Sequence, residues 1–330
     1  MKNAEFNKAV ARLRGRDVVV VGDPGLDEYV YGTAAAVAKE APVLALEAAR
    51  RVFAPGQAAN VAANAAALGA QVALVGLAGA DEYGARLAGL LEGRGVDVAG
   101  LVSEAGRPTT YKVKYVASEV QRHDQHVFHV YWEDRRPPGR AAARRLREAA
   151  RAALGRARAL VLSDYDNGTL TPRLVRELLP EAARRGVVTV ANARGDLKKF
   201  RGVEAVVANR EELERAAGGG TARREDLAAA MARAARRLEA RYLIITAGSE
   251  GMYGWPFRGG VRHLPPAARE VVDVTGAGDT VTAAVAAGLA AGLGFSLVLE
   301  VANAAAAAVV AQEGTSAATP RELGRYVKGR

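Results

Sequence analysis

Toward the end of the sequence, Asp273-Val-Thr-Gly-Ala-Gly-Asp-Thr-Val281 sets two glycines two apart, then an acid, at the head of a long helical run of small residues. Gly276 and Gly278 let the backbone come close to a ligand and turn its N–H groups toward it. A helix N-terminus adds positive dipole, so the place suits an anion such as a phosphoryl group. Asp279 runs against that, because a carboxylate in an anion cradle opposes phosphate unless its task is to take a proton. Phosphoryl transfer to an alcohol needs such a base beside the accepting hydroxyl, with donors for the charge on the transferred group. Read alone, the segment is equally an ordinary helix start with Asp279 as a first-turn acid.

Other candidates lie at the ends of other patterns. Asp27 stands just past the carboxyl end of an apolar strand pattern, where a carboxylate can accept from two adjacent hydroxyls or cap a turn. Asp23 is a similar acid nearer the strand, and Asn60 either faces a ligand or caps the helical run that follows it. Asp164 closes another strand pattern. Lys112 and Lys114, within Tyr111-Lys-Val-Lys-Tyr-Val116, could meet a substrate phosphate or be solvated. His123, His126 and His129 alternate loosely along one strand pattern. Three histidines raise the question of a metal, but no carboxylate or cysteine spacing supports one, and hydroxyl or water binding is the favoured reading.

These residues need elements to hold them. Apolar β-branched runs alternate with helical patterns from beginning to end. Strands are predicted at 17–21, 71–77, 159–162, 187–191, 204–207 and 242–246. Helices are predicted at 60–68, 139–155, 172–185 and 223–240, and three more close the sequence at 276–292, 296–312 and 320–328. Such alternation predicts an α/β fold, a mainly parallel central sheet with helices on both faces and ligands beyond the carboxyl ends of the strands. Two stretches, about 28–53 and 109–133, are strand-like without partner helices. They are predicted to form a small β-sheet lid, with 1–330 making one domain. Val113, Tyr115, Val127, Phe128, Tyr131 and Trp132 give that lid more apolar surface than one active-site cover needs.

Bulk composition narrows the class. In 330 residues, half are apolar and a quarter charged, which fits a soluble globular protein with a sizeable core. The absence of cysteine excludes disulfides and thiolate zinc sites and suits a reducing cytoplasm. Residues 1–16 read as an amphipathic helix rather than a signal peptide, and the Ala-rich run 302–311 is too short and weakly apolar to span a bilayer. The formal net charge is +10, yet the arginines are spread through Ala-rich helical patterns among glutamates, without interleaved aromatics. That describes a solvated face, so no nucleic-acid or membrane partner is expected.

The 273–279 segment resembles the C-terminal signature of the ribokinase-like (PfkB) sugar kinases, Asp-Thr-Thr-Gly-Ala-Gly-Asp. The resemblance covers essentially the whole chain, in order. Val20-Val-Gly-Asp-Pro-Gly-Leu-Asp27 resembles the family's first strand and sugar-binding aspartate. Pro55-Gly-Gln-Ala-Ala-Asn-Val-Ala62 resembles the N-terminal signature, in which a Gly-Gly pair and an asparagine line the sugar pocket. Asn209-Arg-Glu-Glu212 is similar to the family's Asn-x-x-Glu, Thr246-Ala-Gly-Ser-Glu-Gly251 resembles its nucleotide loop, and Asn303 and Gly314-Thr-Ser316 fall where it builds the adenine pocket. The resemblance implies ATP as co-substrate, Mg²⁺, and room for a monovalent cation. It implies that the amides of Ala277, Gly278 and Asp279, after Gly276, hold charge on the γ-phosphoryl while Asp279 deprotonates the sugar hydroxyl. Asp23, Asp27, Gly56, Gln57, Asn60 and Lys112 would face the sugar. Asn209, Thr246, Gly248, Gly251, Asn303 and Ser316 would face the nucleotide, and Glu212 would act on Mg²⁺, largely through water.

Within the family the sequence is most similar to the heptose-7-phosphate kinases, the kinase half of a bifunctional ADP-heptose synthesis protein. Tyr29-Val-Tyr-Gly32, Glu40-Ala-Pro42, Leu162-Ser-Asp-Tyr165 and Asp273-Val-Thr275 carry that likeness. It implies ATP-dependent phosphorylation of a sugar or sugar-phosphate hydroxyl, a heptose 7-phosphate as leading acceptor, and a homodimer through the lid. The sequence stops near residue 330, so no fused nucleotidyltransferase domain is expected in it. The sugar end departs from the pattern. Gln57 replaces the second glycine of Gly-Gly, Asn192-Ala-Arg194 stands for Asp-Pro-Lys, Asp166-Asn-Gly168 for Ala-Lys-Gly, and His129 and Tyr131 replace an arginine and an aspartate. Altered hydrogen bonding in a pocket normally alters the substrate. A kinase of another sugar or a nucleoside, and a catalytically silent sugar-binding regulator, are therefore the alternatives.

Overall fold

The computed structural model describes residues 3–119, 122–218, 224–257, 259–268 and 270–327, the side chains of 3, 35, 119, 122, 123 and 224–226 excepted. The first helix, α1 (Asn3–Ala11), buries Phe6 and Val10 at helical spacing. β1 (Asp17–Gly22) carries successive valines: Val18 and Val20 enter one apolar cluster, Val19 and Val21 another, as a strand covered on both faces requires. From β1 the chain leaves for two long strands, β2 (Pro24–Val37) and β3 (Leu44–Gln57), and returns directly into α2 (Ala58–Ala67). β4 (Gln71–Gly79), α3 (Glu82–Glu92) and β5 (Val96–Glu104) follow, then a second excursion through β6 (Tyr111–Glu119) and β7 (Arg122–Trp132).

Strands and helices then alternate: α4 (Arg140–Leu154), β8 (Ala159–Asp164), α5 (Pro172–Arg184), β9 (Val188–Ala193), β10 (Ala205–Asn209), α6 (Arg210–Ala217), α7 (Arg224–Leu238) and β11 (Tyr242–Thr246). Two edge strands, β12 (Met252–Pro256) and β13 (Arg262–Leu264), precede α8 (Ala277–Ala290), α9 (Phe295–Val310) and α10 (Pro320–Leu323). The helix expected at 320–328 is thus a short α-helix continued by a 3₁₀ turn to Tyr326; residue 328 lies outside the described residues.

The large sheet runs β13-β12-β11-β10-β9-β8-β1-β4-β5. It is parallel from β5 to β11, and β12 and β13 add on antiparallel. Helices α2, α3, α8 and α9 cover one face and α4 to α7 the other, giving two apolar cores back to back. α8 is buried all round, from Asp279 through Leu289, which its small side chains permit.

The smaller sheet runs β3-β2-β6-β7 and forms the lid. Its strands begin and end nearer the main sheet than the expected 28–53: β2 starts at Pro24 and β3 ends at Gln57. The prolines and glycines at those ends hide the strand signal, yet they bring Asp27, Gly56 and Gln57 to the root of the lid. Val113, expected on the lid surface, is instead buried against the main core, whereas Val127, Phe128, Tyr131 and Trp132 are exposed, together with Val37, Val43 and Leu44. In β7, Phe128 pairs with Tyr115 and His126 with the next residue, Val116, so Val127 is a bulge. The bulge turns His126 and His129, three apart, toward each other, their Nδ1 and Nε2 atoms 2.9 Å apart. The His123 side chain lies outside the described residues. Buried Arg107 fastens the lid's base, donating to Glu104 (2.7 Å) and to the carbonyls of Asp134 (3.1 Å), Asn167 (3.4 Å) and Arg136 (2.5 Å).

Candidate active site

One cavity of about 430 Å³ opens at the carboxyl ends of β8 to β11, where Tyr165, Asn192, Asn209 and Thr246 stand on its wall. Asp279, in the first turn of α8, is buried there. A chain of amides orients it. Thr280 Oγ1 donates to Asn64 Oδ1 (2.9 Å), Asn64 Nδ2 to Asn60 Oδ1 (2.9 Å), and Asn60 Nδ2 to Asp279 Oδ2 (2.9 Å). Gly276 makes room for this: its φ is +79°, and a Cβ there would stand 2.6 Å from Asn60 Nδ2. The Tyr165 hydroxyl donates to the other carboxylate oxygen. Burial raises the Asp279 carboxyl to about 6, against the pull of the Tyr165 and Asn60 bonds and the Arg194 charge. Burial and then the Asp279 charge push the Tyr165 hydroxyl well above its usual range, so it stays a donor.

Of the three amides expected to hold phosphoryl charge, that of Ala277 donates to the Val274 carbonyl at 3.3 Å. Those of Gly278 and Asp279 precede the first i→i−4 bond of α8, from Thr280 to Gly276 (3.0 Å), so the helix offers them no internal acceptor. The Gly278 and Asp279 amides thus lack an acceptor within the helix, whereas the Ala277 amide has one in Val274.

At the lid end the wall holds Asp27, Gly56, Gln57, Lys112, Lys114, His129, Tyr131 and Thr315. Lys114, which the sequence leaves between phosphate contact and solvent, is buried and donates to Asp27 Oδ2 (2.7 Å) and the Tyr29 hydroxyl (2.9 Å). Burial pulls its pKa down most strongly, but the charges of and hydrogen bonds to Asp27 and Tyr29 together outweigh that and raise it. Lys112 pairs with Glu133 at 2.9 Å. Gly56 is bare because a Cβ would stand 2.6 Å from Asp27 Oδ1. Asp23 is a correction. It is absent from the cavity wall, and its carboxylate accepts the amides of Tyr165 (2.8 Å), Asn167 (3.1 Å) and Thr169 (2.9 Å), which shapes the loop after β8. Asn60 is on the wall, with one amide N–H given to Asp279.

At the other end stand Val207, Asn209, Glu212, Thr246 and Thr275. Asn209 and Glu212 form a capping box at α6: Asn209 Oδ1 accepts the Glu212 amide (2.9 Å), and Glu212 Oε2 accepts the Asn209 amide (2.8 Å). One Glu212 oxygen is left for the cavity, and burial, countered by the Asn209 amide, raises its carboxyl pKa. Four expected nucleotide residues are not on this wall. Gly248 and Gly251 shape the turn between β11 and β12 with φ of +54° and +87°. The Ser316 hydroxyl bonds the Val309 carbonyl (3.5 Å). Asn303 donates to the Pro265 carbonyl (3.0 Å) and lines a separate cleft with His263 and Tyr326. Tyr165 and Arg194, which the sequence sets within motifs but gives no site role, also stand on the wall. Each follows the carboxyl end of a strand, the position that could have flagged them. Arg194 lies over the Tyr165 ring, 4.8 Å from its centroid.

The sequence model of the pfkB family carbohydrate kinases matches residues 17–322. This chain belongs to that family. Among curated pfkB relatives, the bifunctional protein HldE of Geobacter metallireducens is 37% identical over 328 residues, covering 98% of this chain and 65% of its own length. The HldE of Azorhizobium caulinodans is 40% identical over 308 residues, covering 93% and 63%. The chain thus spans slightly less than two thirds of the length of the curated relatives it matches. The fold is similar to those of Arabidopsis thaliana ribokinase, complexed with ribose and ATP (TM-score 0.74, 23% identity, 96% of this chain and 100% of that one), and of Escherichia coli phosphofructokinase-2 with substrates and products (0.78, 20%, 94% and 98%).

Proposed function

We propose that this carbohydrate kinase transfers the γ-phosphoryl group of ATP to a hydroxyl of a sugar or sugar phosphate, a heptose 7-phosphate being the leading acceptor, with Asp279 as base. The observation that carries the reading is Asp279 itself: a buried carboxylate raised to about 6, held by Asn60 and Tyr165 at a helix N-terminus. Its pKa leaves it ionised at neutral pH yet ready to accept a proton. The acceptor lies at the lid end against Asp27, and the nucleotide lies along Asn209 and Thr246. Asp279 takes the hydroxyl proton as the oxygen attacks the γ-phosphorus, and the displaced ADP carries the bonding pair away. The Gly278 and Asp279 amides, the α8 dipole and the Arg194 guanidinium take up charge on the transferred group.

Among the described residues no three acids or histidines gather as a metal cage. The Glu212 oxygen outside the capping box would hold a hydrated Mg²⁺, largely through water, and the ion would supply positive charge beside the phosphates. The heptose acceptor rests on the HldE relatives, and the lid-to-lid homodimer on the exposed Val127 and Phe128. An ADP-release screen with ATP across pentoses, hexoses, heptoses, their phosphates and nucleosides tests the function. Sugar-dependent release is expected; release with none of them, or with nucleosides alone, would overturn it.

A further inference from the structure

Gln57 holds a backbone conformation that ordinarily belongs to glycine. Its φ is +56° and its ψ −133°, where a side chain brings strain. Of the three described non-glycine residues with positive φ, it alone lines the cavity. It sits where β3 hands over to α2, yet its side chain makes no cap bond to that helix. Helix capping therefore gives no reason for a side chain here, and a bare backbone would relieve the strain.

The carboxamide is buried at the acceptor end. In the orientation that satisfies its neighbours, its nitrogen donates to the Asp23 carbonyl (3.2 Å), and its oxygen accepts from Lys112 Nζ (2.9 Å) and Asn167 Nδ2 (3.3 Å). Space has been cleared for it across the lid root, because a Cβ on Gly25 would meet this carboxamide at 3.0 Å. An amide nitrogen carries two N–H groups. Asp23 takes one, which leaves the other for an oxygen on a bound molecule.

We propose that Gln57 is the specificity-determining side chain of the acceptor pocket. Its second N–H selects an acceptor that presents a hydroxyl or ring oxygen at that point. Its bulk excludes acceptors substituted there, and its carbonyl holds Lys112 in place. The strain persists because removing the side chain would forfeit this selection. The inference rests on the kinase reading above for what the pocket receives.

The test uses the full chain as wild type, Gln57→Gly and Gln57→Ala. Thermal shifts are read with ribose, fructose, mannose and D-glycero-D-manno-heptose 7-phosphate, first without nucleotide and then alongside ADP release. Gln57→Gly should melt above Gln57→Ala, which keeps the strain and lacks the side chain. Against wild type it should weaken the preferred acceptor about tenfold or more, improve bulkier acceptors relative to it, and leave KM for ATP unchanged. A glycine variant with the wild-type acceptor ranking and affinities within twofold would overturn the proposal, and so would a wild type that no sugar shifts. Sugar shifts that change with Gln57 but come without ADP release would support the role of Gln57 and sink the kinase reading alone.

Discussion

Asp279 carries its charge only above about pH 6, since burial disfavours the ionised form more than Tyr165 and Asn60 favour it. A base is blocked when protonated, so kcat/KM is expected to fall about tenfold per pH unit below about 6 and to level off above it. Tyr165→Phe removes a donor that favours the carboxylate, which raises the Asp279 pKa further; the acid limb of the profile should move to higher pH. A limb that stays put or moves down would show that Tyr165 does not hold the base. The same burial bears on stability. The folded pKa is raised above the unfolded value, so this group's contribution is complete below about pH 4 and is lost as pH rises through about 6. The ionised carboxylate then costs the fold on the order of 3 kcal/mol. Asp279→Asn should therefore melt higher than wild type at pH 8 and nearly equal to it at pH 4, as scanning calorimetry would record.

The elements differ in how openly the sequence declares them. β1, β8, β10 and β11 are apolar β-branched runs because helices cover both their faces, and that pattern is legible in one reading. The roots of β2 and β3 are not, because Pro24, Gly25, Pro55 and Gly56 look like turn residues although they pair as strands. Gly276 and Asp279 could be read from type and spacing, whereas the use of Asn60 on Asp279 and of Asp23 on three amides depends on chain crossings that no spacing reveals. Asn209 and Glu212 show both sides at once, since the spacing that suits a phosphate site is also that of a capping box. Asn209→Ala should accordingly cost about 1 kcal/mol of stability through the cap alone. Arg107 is the stronger case. It ties the strand entering the lid to the chain leaving it and to the loop after β8. Arg107→Ala leaves one Glu104 oxygen and three carbonyls without this donor, and chemical denaturation should show a loss on the order of 3 kcal/mol. A loss below about 1 kcal/mol would mean the lid is anchored elsewhere.

Over the whole molecule, the proposed function divides the labour between the two sheets: the large one would carry α8 and the phosphate end, and the small one would close the acceptor end. The outer lid leaves Phe128 about two-thirds exposed at 63%, more than a solvated edge would favour. Light scattering at micromolar concentration should give twice the 34.5 kDa chain mass for the wild type and a single chain for Phe128→Asp; a monomeric wild type would contradict the lid-to-lid pairing. Among the described residues no helix is long and apolar enough to cross a membrane. What unites both halves is the claim that a hydroxyl and a phosphoryl group meet at Asp279. Acceptor-dependent ADP release by wild type and Asp279→Asn, side by side with the best acceptor of the screen, tests it most directly. The account predicts a loss of a thousandfold or more in kcat, with the ATP-induced thermal shift intact. A variant that retains turnover within tenfold of wild type would contradict it.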